Sequence, residues 1–307
     1  MPEQAKYIQG FSRQYPGLFV ILLDQSDSMS EHLEESSQSK ALIITSYVNS
    51  IINSMIEYAQ FDEFTGRRKN YAYVSILGYN DKTYPLLATG YAPVSLPDLD
   101  EMVKGYDFVE RKIIDQSGKT IRRLRQKQRF WIEPRAEDTT EMVRAFEEAE
   151  KIVKNWLNSS PEYINSVLGL ERPRMQCFPP IIINITDAKY NGEGDPESVA
   201  ERIRSIHTED GNVLIYNCHF THKRVQPCLF PRDIADVRRR TGSKQAEYMF
   251  RMSSELPETL RSKAERVMQM PIASGARCFV YNASPDILLR FLTWTTLGVP
   301  GAGERRR

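Results

Sequence analysis

The stretch VILLDQSDSMSE, residues 20–31, decides how this chain is read. Four aliphatic residues run straight into Asp24, and Ser26 and Ser28 follow two apart with Asp27 between them. With the preceding Leu18 and Phe19, the run LFVILL (residues 18–23) has the length and unbroken apolar character of a strand buried on both faces. A strand ending in a knot of small oxygen-bearing side chains is either an ordinary exit into a loop or half of an oxygen-rich site. In the second case the alternating serines aim two hydroxyls at one point. Asp27, out of phase with them, then faces away.

Working outward, SSQSKALIITSYVNSIINSMIEYAQ carries Ile44, Val48, Ile51, Met55 and Tyr58 at helical spacing. YAYVSILGY (71–79) reads as a second strand and PLLATGY (85–91) as a third. TTEMVRAFEEAEKIVKNWL places Met142, Val143, Phe146, Ala149, Ile152, Val153 and Trp156 on one helix face. Asp138 and Glu141 read as a capping box that starts this helix. PPIIINIT (179–186) is the most apolar strand, and it too ends on a carboxylate, Asp187. NVLIYNCHF (212–220) and ARCFVYNA (276–283) follow as strands. PDILLRFLTWTTLG closes the pattern as a helix, with Pro285 in its first turn and Gly298 at its stop. The alternation predicts an α/β fold: a doubly wound, mainly parallel central sheet flanked by helices. Such sheets bind ligands beyond the carboxyl ends of their strands, at a switch point. Asp24 and Asp187 both fall at such ends.

The 307 residues suffice for one large α/β domain or two smaller ones. The division expected is an extension at 1–15, a domain at 16–298 and a tail at 299–307. Residues 93–137 break the strand–helix alternation and read as an insertion carrying a basic β-hairpin at about 108–132, turned at Ser117-Gly118. Lys and Arg total 41 against 40 Asp and Glu, so bulk charge points to neither nucleic acid nor membrane. The polar start of the chain has no apolar core of a signal peptide, and no apolar run is long enough to span a bilayer. Cys177, Cys218, Cys228 and Cys278 are scattered and read as reduced thiols. These features together predict a cytoplasmic protein.

Asp24, Ser26, Ser28, Thr140 at a helix start and Asp187 all offer oxygen, the ligand of hard divalent cations. Hydroxyls with one or two carboxylates leave such an ion electron-poor and in want of an anionic ligand from outside. With these residues the chain resembles the von Willebrand factor A-type domains that carry a metal-ion-dependent adhesion site. That family's Asp-x-Ser-x-Ser motif reads here DQSDSMS. Its threonine matches Thr140 in DTTEM, with Thr139 as the one-residue-shift alternative, and its second aspartate matches Asp187 in ITDAK. The resemblance implies that Ser26 and Ser28 bind the ion directly. Thr140 would bind directly or through water, Asp187 through water, and Asp24 through water or as an anchor of the loop. Ala188 and Asp138 stand where glycines are common in the family, and both bear on loop geometry. The resemblance covers about residues 16–298. FPPIIINITDAKYNGEGDP, DGNVLIYNCHF, LFP and MFRMSSELPE are similar to a bacterial subgroup. In that subgroup such domains accompany a Ser/Thr protein kinase and a metal-dependent protein phosphatase in stress or conflict systems.

The expectation is therefore a non-enzymatic module that binds Mg²⁺, with Mn²⁺ or Ca²⁺ as alternatives, and through it an Asp or Glu of a protein partner. No Gly-rich phosphate loop, Gly-x-Ser-x-Gly elbow or His-Glu-x-x-His motif points to catalysis. Arg122, Arg123, Arg125 and Lys127 of the hairpin are candidate partner-binding residues. The insertion precedes Thr140 in the chain, which could place it on the metal rim. The alternative is a nucleic-acid-binding accessory protein, with the same residues meeting phosphates and Phe130 and Trp131 stacking on bases. Against it, a solvated hairpin whose aromatics pack on the core explains the same residues. Cys218, His219, His222 and Cys228 could suggest zinc, but Cys218 and His219 are adjacent on a strand and point to opposite faces.

Overall fold

The computed structural model describes residues 6–32, 38–61, 63, 66–114, 120–159, 172–187, 194–220 and 226–297. In chain order the elements are β1 (Gly17–Asp24), α1 (Lys40–Tyr58), β2 (Ala72–Tyr79), β3 (Thr83–Pro85), β4 (Val94–Ser95) and α2 (Leu96–Glu101). The hairpin strands β5 (Gly105–Ile114) and β6 (Thr120–Phe130) follow, then α3 (Met142–Asn158), β7 (Ile181–Thr186) and α4 (Pro196–Ser205). The chain continues with β8 (Leu214–His219), β9 (Cys228–Leu229), α5 (Ile234–Thr241), α6 (Lys244–Met252), α7 (Glu258–Met268), β10 (Phe279–Tyr281) and α8 (Pro285–Leu297).

The unbroken apolar run of β1 has a direct cause. Every one of its residues is buried, and the two faces of the strand feed two different cores. Phe19, Ile21 and Leu23 pack with residues of α1, α7 and α8, whereas Leu18, Val20 and Leu22 pack with residues of α3 and α4. The main sheet runs β3-β2-β1-β7-β8-β10-β9, with β4 also paired to β2. The β2–β1, β1–β7, β7–β8 and β8–β10 ladders are parallel; the edges at β3, β4 and β9 are antiparallel. This is the mainly parallel, helix-flanked α/β sheet that the alternation predicts. From β1 the chain moves one way to β2 and later returns on the other side at β7. The switch point thus lies between β1 and β7, where Asp24 and Asp187 emerge.

Two local expectations are corrected. The third strand is Thr83–Pro85 rather than 85–91. After Leu86 N–H donates to Ile76 O at 2.9 Å, the chain turns away, and Gly90 at φ 73° closes that turn by donating to Leu87 O. No capping box starts α3: its N-cap is Glu141, without a side-chain cap bond, and Asp138 sits at φ 64° serving another contact. Ser117-Gly118 and Gly298 lie outside the described residues.

The β5–β6 hairpin forms its own two-stranded sheet, anchored to α1 by polar contacts. Asn49 Oδ1 accepts from the N–H groups of Trp131 and Ile132, and Asn49 Nδ2 donates to Ile132 O at 2.9 Å. Residues near the start of the chain are also tied down: Ile8 and Gln9 N–H groups donate to the two Asp210 carboxylate oxygens, and Phe11 is buried. Among the described residues, no helix is long and apolar enough to cross a membrane. All four cysteines are buried and none is in a disulfide.

Candidate metal centre

At the carboxyl end of β1, Asp24 is buried and works as the hub of its loop. Its Oδ1 accepts from Ser26 N–H at 3.0 Å and Ser26 Oγ–H at 2.6 Å; its Oδ2 accepts from Thr186 Oγ1–H at 2.5 Å. The first two bonds fold residues 24–26 into a tight turn that lifts Ser26 toward the crevice. A short 3₁₀ turn over Asp27–Ser30 then brings Ser28 Oγ to 3.2 Å from Ser26 Oγ. Asp27, as expected from its phase, is exposed.

The loop before α3 is stitched to this turn through the backbone. Glu137 N–H donates to Gln25 O at 2.8 Å, and Asp27 N–H donates to Asp138 O at 2.9 Å. Asp138 reaches that position through its left-handed backbone conformation, and Asn80 Nδ2 donates to its carboxylate. Glu141 N–H is fixed by Asn80 O at 2.6 Å. Between these pins Thr140 is buried while Thr139 is exposed, so Thr140 is the threonine the structure turns inward. Asp187 follows β7, next to β1 in the sheet, and is also buried.

Burial pushes the Asp24 carboxyl up from its ordinary 3.8 to about 6; the bonds from Ser26 and Thr186 pull it back, and nearby Asp187 adds to the rise. Burial and the charge of Asp24 likewise push the Tyr79 phenol well above its ordinary value. Tyr79 O–H donates to Asn184 Oδ1 at 2.8 Å, and Asn184 Nδ2 donates to Asn217 Oδ1 at 2.9 Å, a buried polar chain beneath the site.

Sequence reasoning missed two groups here. Thr186 holds the second oxygen of Asp24 and was read only as the last residue of a strand. Lys40 is fully buried, and each of its three ammonium donors has an acceptor: Glu31 Oε2 at 2.6 Å, Asp187 Oδ2 at 2.9 Å and Ser28 O at 3.3 Å. Its only signal in the sequence is a lysine directly after Ser39, the residue that caps α1.

The donor set fits a hard divalent cation. Neighbouring oxygen ligands on an octahedral ion with bonds of about 2.0–2.1 Å stand about 2.9 Å apart. The Ser26–Ser28 separation of 3.2 Å is close to that spacing before any ion draws the hydroxyls together. Among the described residues no cluster of three or more His, Cys, Asp or Glu could hold a metal, so a cation bound here would draw part of its ligand set from hydroxyls. The zinc alternative gains nothing: the His219 ring stacks on Tyr281 at 4.2 Å and its Nδ1 accepts from Asn282 N–H, while His222 lies outside the described residues.

The hairpin residues lie apart from this centre. They meet α1 at Asn49, Ser50 and Asn53, about 14–20 Å along the helix axis from Lys40. The Arg125 guanidinium stands 4.4 Å over the Phe108 ring, and Lys127 Nζ stands 4.0 Å over Tyr106. Arg122 and Arg123 occupy β6 opposite Ile113 and Lys112, and their side chains lie outside the described residues. The aromatics on solvent are Tyr106 and Phe108, at 58% and 54% exposure, which sequence reasoning missed. Trp131, expected as a candidate for stacking on bases, is instead in the core, its Nε1–H donating to Leu99 O at 2.6 Å.

No family model matches the chain, and no curated protein matches it. Among solved structures it is similar to a von Willebrand factor type A protein from Catenulispora acidiphila, at 11% identity and a TM-score of 0.41, over 97% of this chain and 52% of that one. It is also similar to a mussel byssus proximal thread matrix protein with a zinc-occupied adhesion motif, at 13% identity and a TM-score of 0.33, over 68% and 36% of the two chains. A third similar structure is manganese-loaded TRAP protein of Plasmodium vivax, at 14% identity and a TM-score of 0.32, over 66% and 57%. The chain spans less than two thirds of the length of each of the three.

Proposed function

We propose that this chain is a non-enzymatic, metal-dependent interaction module of the von Willebrand factor A type that captures a carboxylate of a protein partner. One observation carries the reading: two serine hydroxyls 3.2 Å apart, braced by a buried carboxylate, at the switch point between β1 and β7. Ser26, Ser28 and Thr140 would hold a divalent cation, with Asp24 and Asp187 oriented behind them. When bound, the cation supplies a coordination position open to an anionic oxygen from outside. The chain's own residues do the rest. Thr186 and the Ser26 amide fix the Asp24 carboxylate, and the stitch between Gln25, Asp27 and the 137–138 backbone ties the loop that carries Thr140 to the loop that carries the serines. The carboxylate beside the hydroxyls, Asp24, is engaged by Ser26 and Thr186 as the anchor of the loop, which fits binding rather than turnover. Mg²⁺ is the proposed ion. A cytoplasmic partner of the kinase or phosphatase kind, in a bacterial stress or conflict system, rests on resemblance alone.

The test is capture of partners from lysate with and without chelator, beside an Asp24→Ala variant. Capture should vanish with chelator and in the variant. Capture indifferent to both would leave the site a structural loop. The second reading, single-stranded nucleic acid on the hairpin, is favoured by exposed Tyr106 and Phe108 under Lys127 and Arg125. It requires oligonucleotide affinity that falls steeply with salt, and fluorescence anisotropy at low salt would decide it.

A further inference from the structure

Lys40 is the feature that the proposed metal site does not by itself explain. Its side chain is 0% exposed, that of Asp187 is 1% exposed, and the ammonium sits between Asp187, Glu31 and the Ser28 carbonyl, inside the loop that presents the serines. A site meant only to hold a cation gains nothing from a permanent cation against one of its carboxylates. We propose that Lys40 is a built-in counter-charge that makes retention of the metal conditional on an external carboxylate. This rests on the metal-site reading above.

The charges argue for it directly. Among the described residues, the two buried carboxylates and the buried ammonium sum to about one net negative charge. A divalent cation takes it to one net positive, and one carboxylate from a partner returns it to zero. Without Lys40 the two carboxylates alone would balance the ion, and the partner's charge would be surplus. Glu31 offsets only part of this: it anchors the ammonium at 2.6 Å from the solvent side, and its 38% exposure weakens its reach toward an ion beyond the ammonium. Lys40 also occupies one oxygen of Asp187, so an ion approaching that carboxylate meets both competition and repulsion. The consequence is coincidence detection: metal and acidic partner bind weakly alone and tightly together, by a reciprocal coupling.

The experiment is calorimetric titration with Mn²⁺ at pH 7.5 of the wild type, Lys40→Gln, Lys40→Arg and Glu31→Gln. Each is run in sodium chloride and in sodium acetate at matched ionic strength, with circular dichroism to confirm folding. In chloride, Lys40→Gln should bind Mn²⁺ about tenfold or more tightly, Lys40→Arg should behave as wild type, and Glu31→Gln should bind several-fold more weakly. Acetate should tighten Mn²⁺ binding by the wild type several-fold and do little for Lys40→Gln. A lysine that merely scaffolds the loop would instead give weaker binding in both Lys40→Gln and Glu31→Gln, and that result overturns the proposal. Should Lys40→Gln fail to fold, the wild type alone decides: Mn²⁺ affinity that acetate leaves unchanged overturns it. A wild type that binds no Mn²⁺ at all overturns the metal site itself, a distinct outcome.

Discussion

Asp24 is costly to the fold, and the proposed function needs it all the same. The folded chain holds its carboxyl near 6, above the ordinary 3.8, mainly because burial penalises the charge. Between about pH 4 and 6 the folded chain therefore keeps a proton that the unfolded chain has lost. Stability from this group is greatest below pH 4, falls as pH rises through that window, and stays lost above it. Asp24→Asn is thus expected to stabilise the metal-free protein by about 3 kcal/mol at pH 7.5 and to add little at pH 4. Urea denaturation in chelator at both pH values checks this. The same variant should bind Mn²⁺ far more weakly, so stability and binding move in opposite directions. A drop in stability at pH 7.5 would mean that the bonds from Ser26 and Thr186 outweigh the burial of charge.

Much of the site is legible along the chain because its spacing is local. Asp24, Ser26 and Ser28 declare themselves within five residues, and Asp187 follows another fully apolar strand. Lys40 does not, since its burial depends on the first turn of α1 packing against the ends of β1 and β7, a contact with Asp187 across 147 positions. Thr186 is hidden for the same reason: its partner Asp24 lies 162 positions earlier.

Among the elements, β2 carries a tight constraint on the site. Gly78 lies beside Leu23 of β1, and a Cβ there would meet Gln25 Oε1 at 2.2 Å and the Tyr84 ring at 2.9 Å. Gln25 is buried and its Oε1 accepts from Tyr84 O–H at 2.7 Å, so it cannot swing clear without losing that bond. Gly78→Ala is expected to cost about 1–3 kcal/mol by denaturation and to weaken Mn²⁺ binding, because Gln25 belongs to the loop that aims the serines. The hairpin offers the opposite contrast. Trp131→Ala should cost about 3–5 kcal/mol, as its ring is buried and its N–H is bonded. The double change Tyr106→Ala, Phe108→Ala should stay within about 0.5 kcal/mol of wild type, because both rings face solvent. Equal losses in the two thermal melts would place the hairpin aromatics in the core after all. The elements that sequence reasoning misplaced share a cause. Asp138 and Glu141 have the residue types of a capping box, yet Asp138 spends its backbone on bridging to Asp27. PLLATGY has the composition of a strand, yet Gly90 turns it.

In the whole molecule, one topological fact organises the rest. Chain order reverses between β1 and β7, so two apolar strands deliver Asp24 and Asp187 side by side at the carboxyl edge of the sheet. The loop before α3 is bonded onto that edge from the opposite layer to α1, which brings Lys40 from below. The stretches carrying Asp24, Lys40, Thr140 and Asp187 are thereby tied together at one oxygen-rich edge of the sheet. The proposed metal binding can be tested without knowing the partner. Calorimetric titration of Mn²⁺ into the wild type and into the double variant Ser26→Ala, Ser28→Ala is expected to give stoichiometric binding in the first. The second should lose about a hundredfold or more in affinity while its circular dichroism spectrum stays unchanged. Equal affinity in a folded double variant, or no binding in the wild type, would contradict a metal centre at the end of β1.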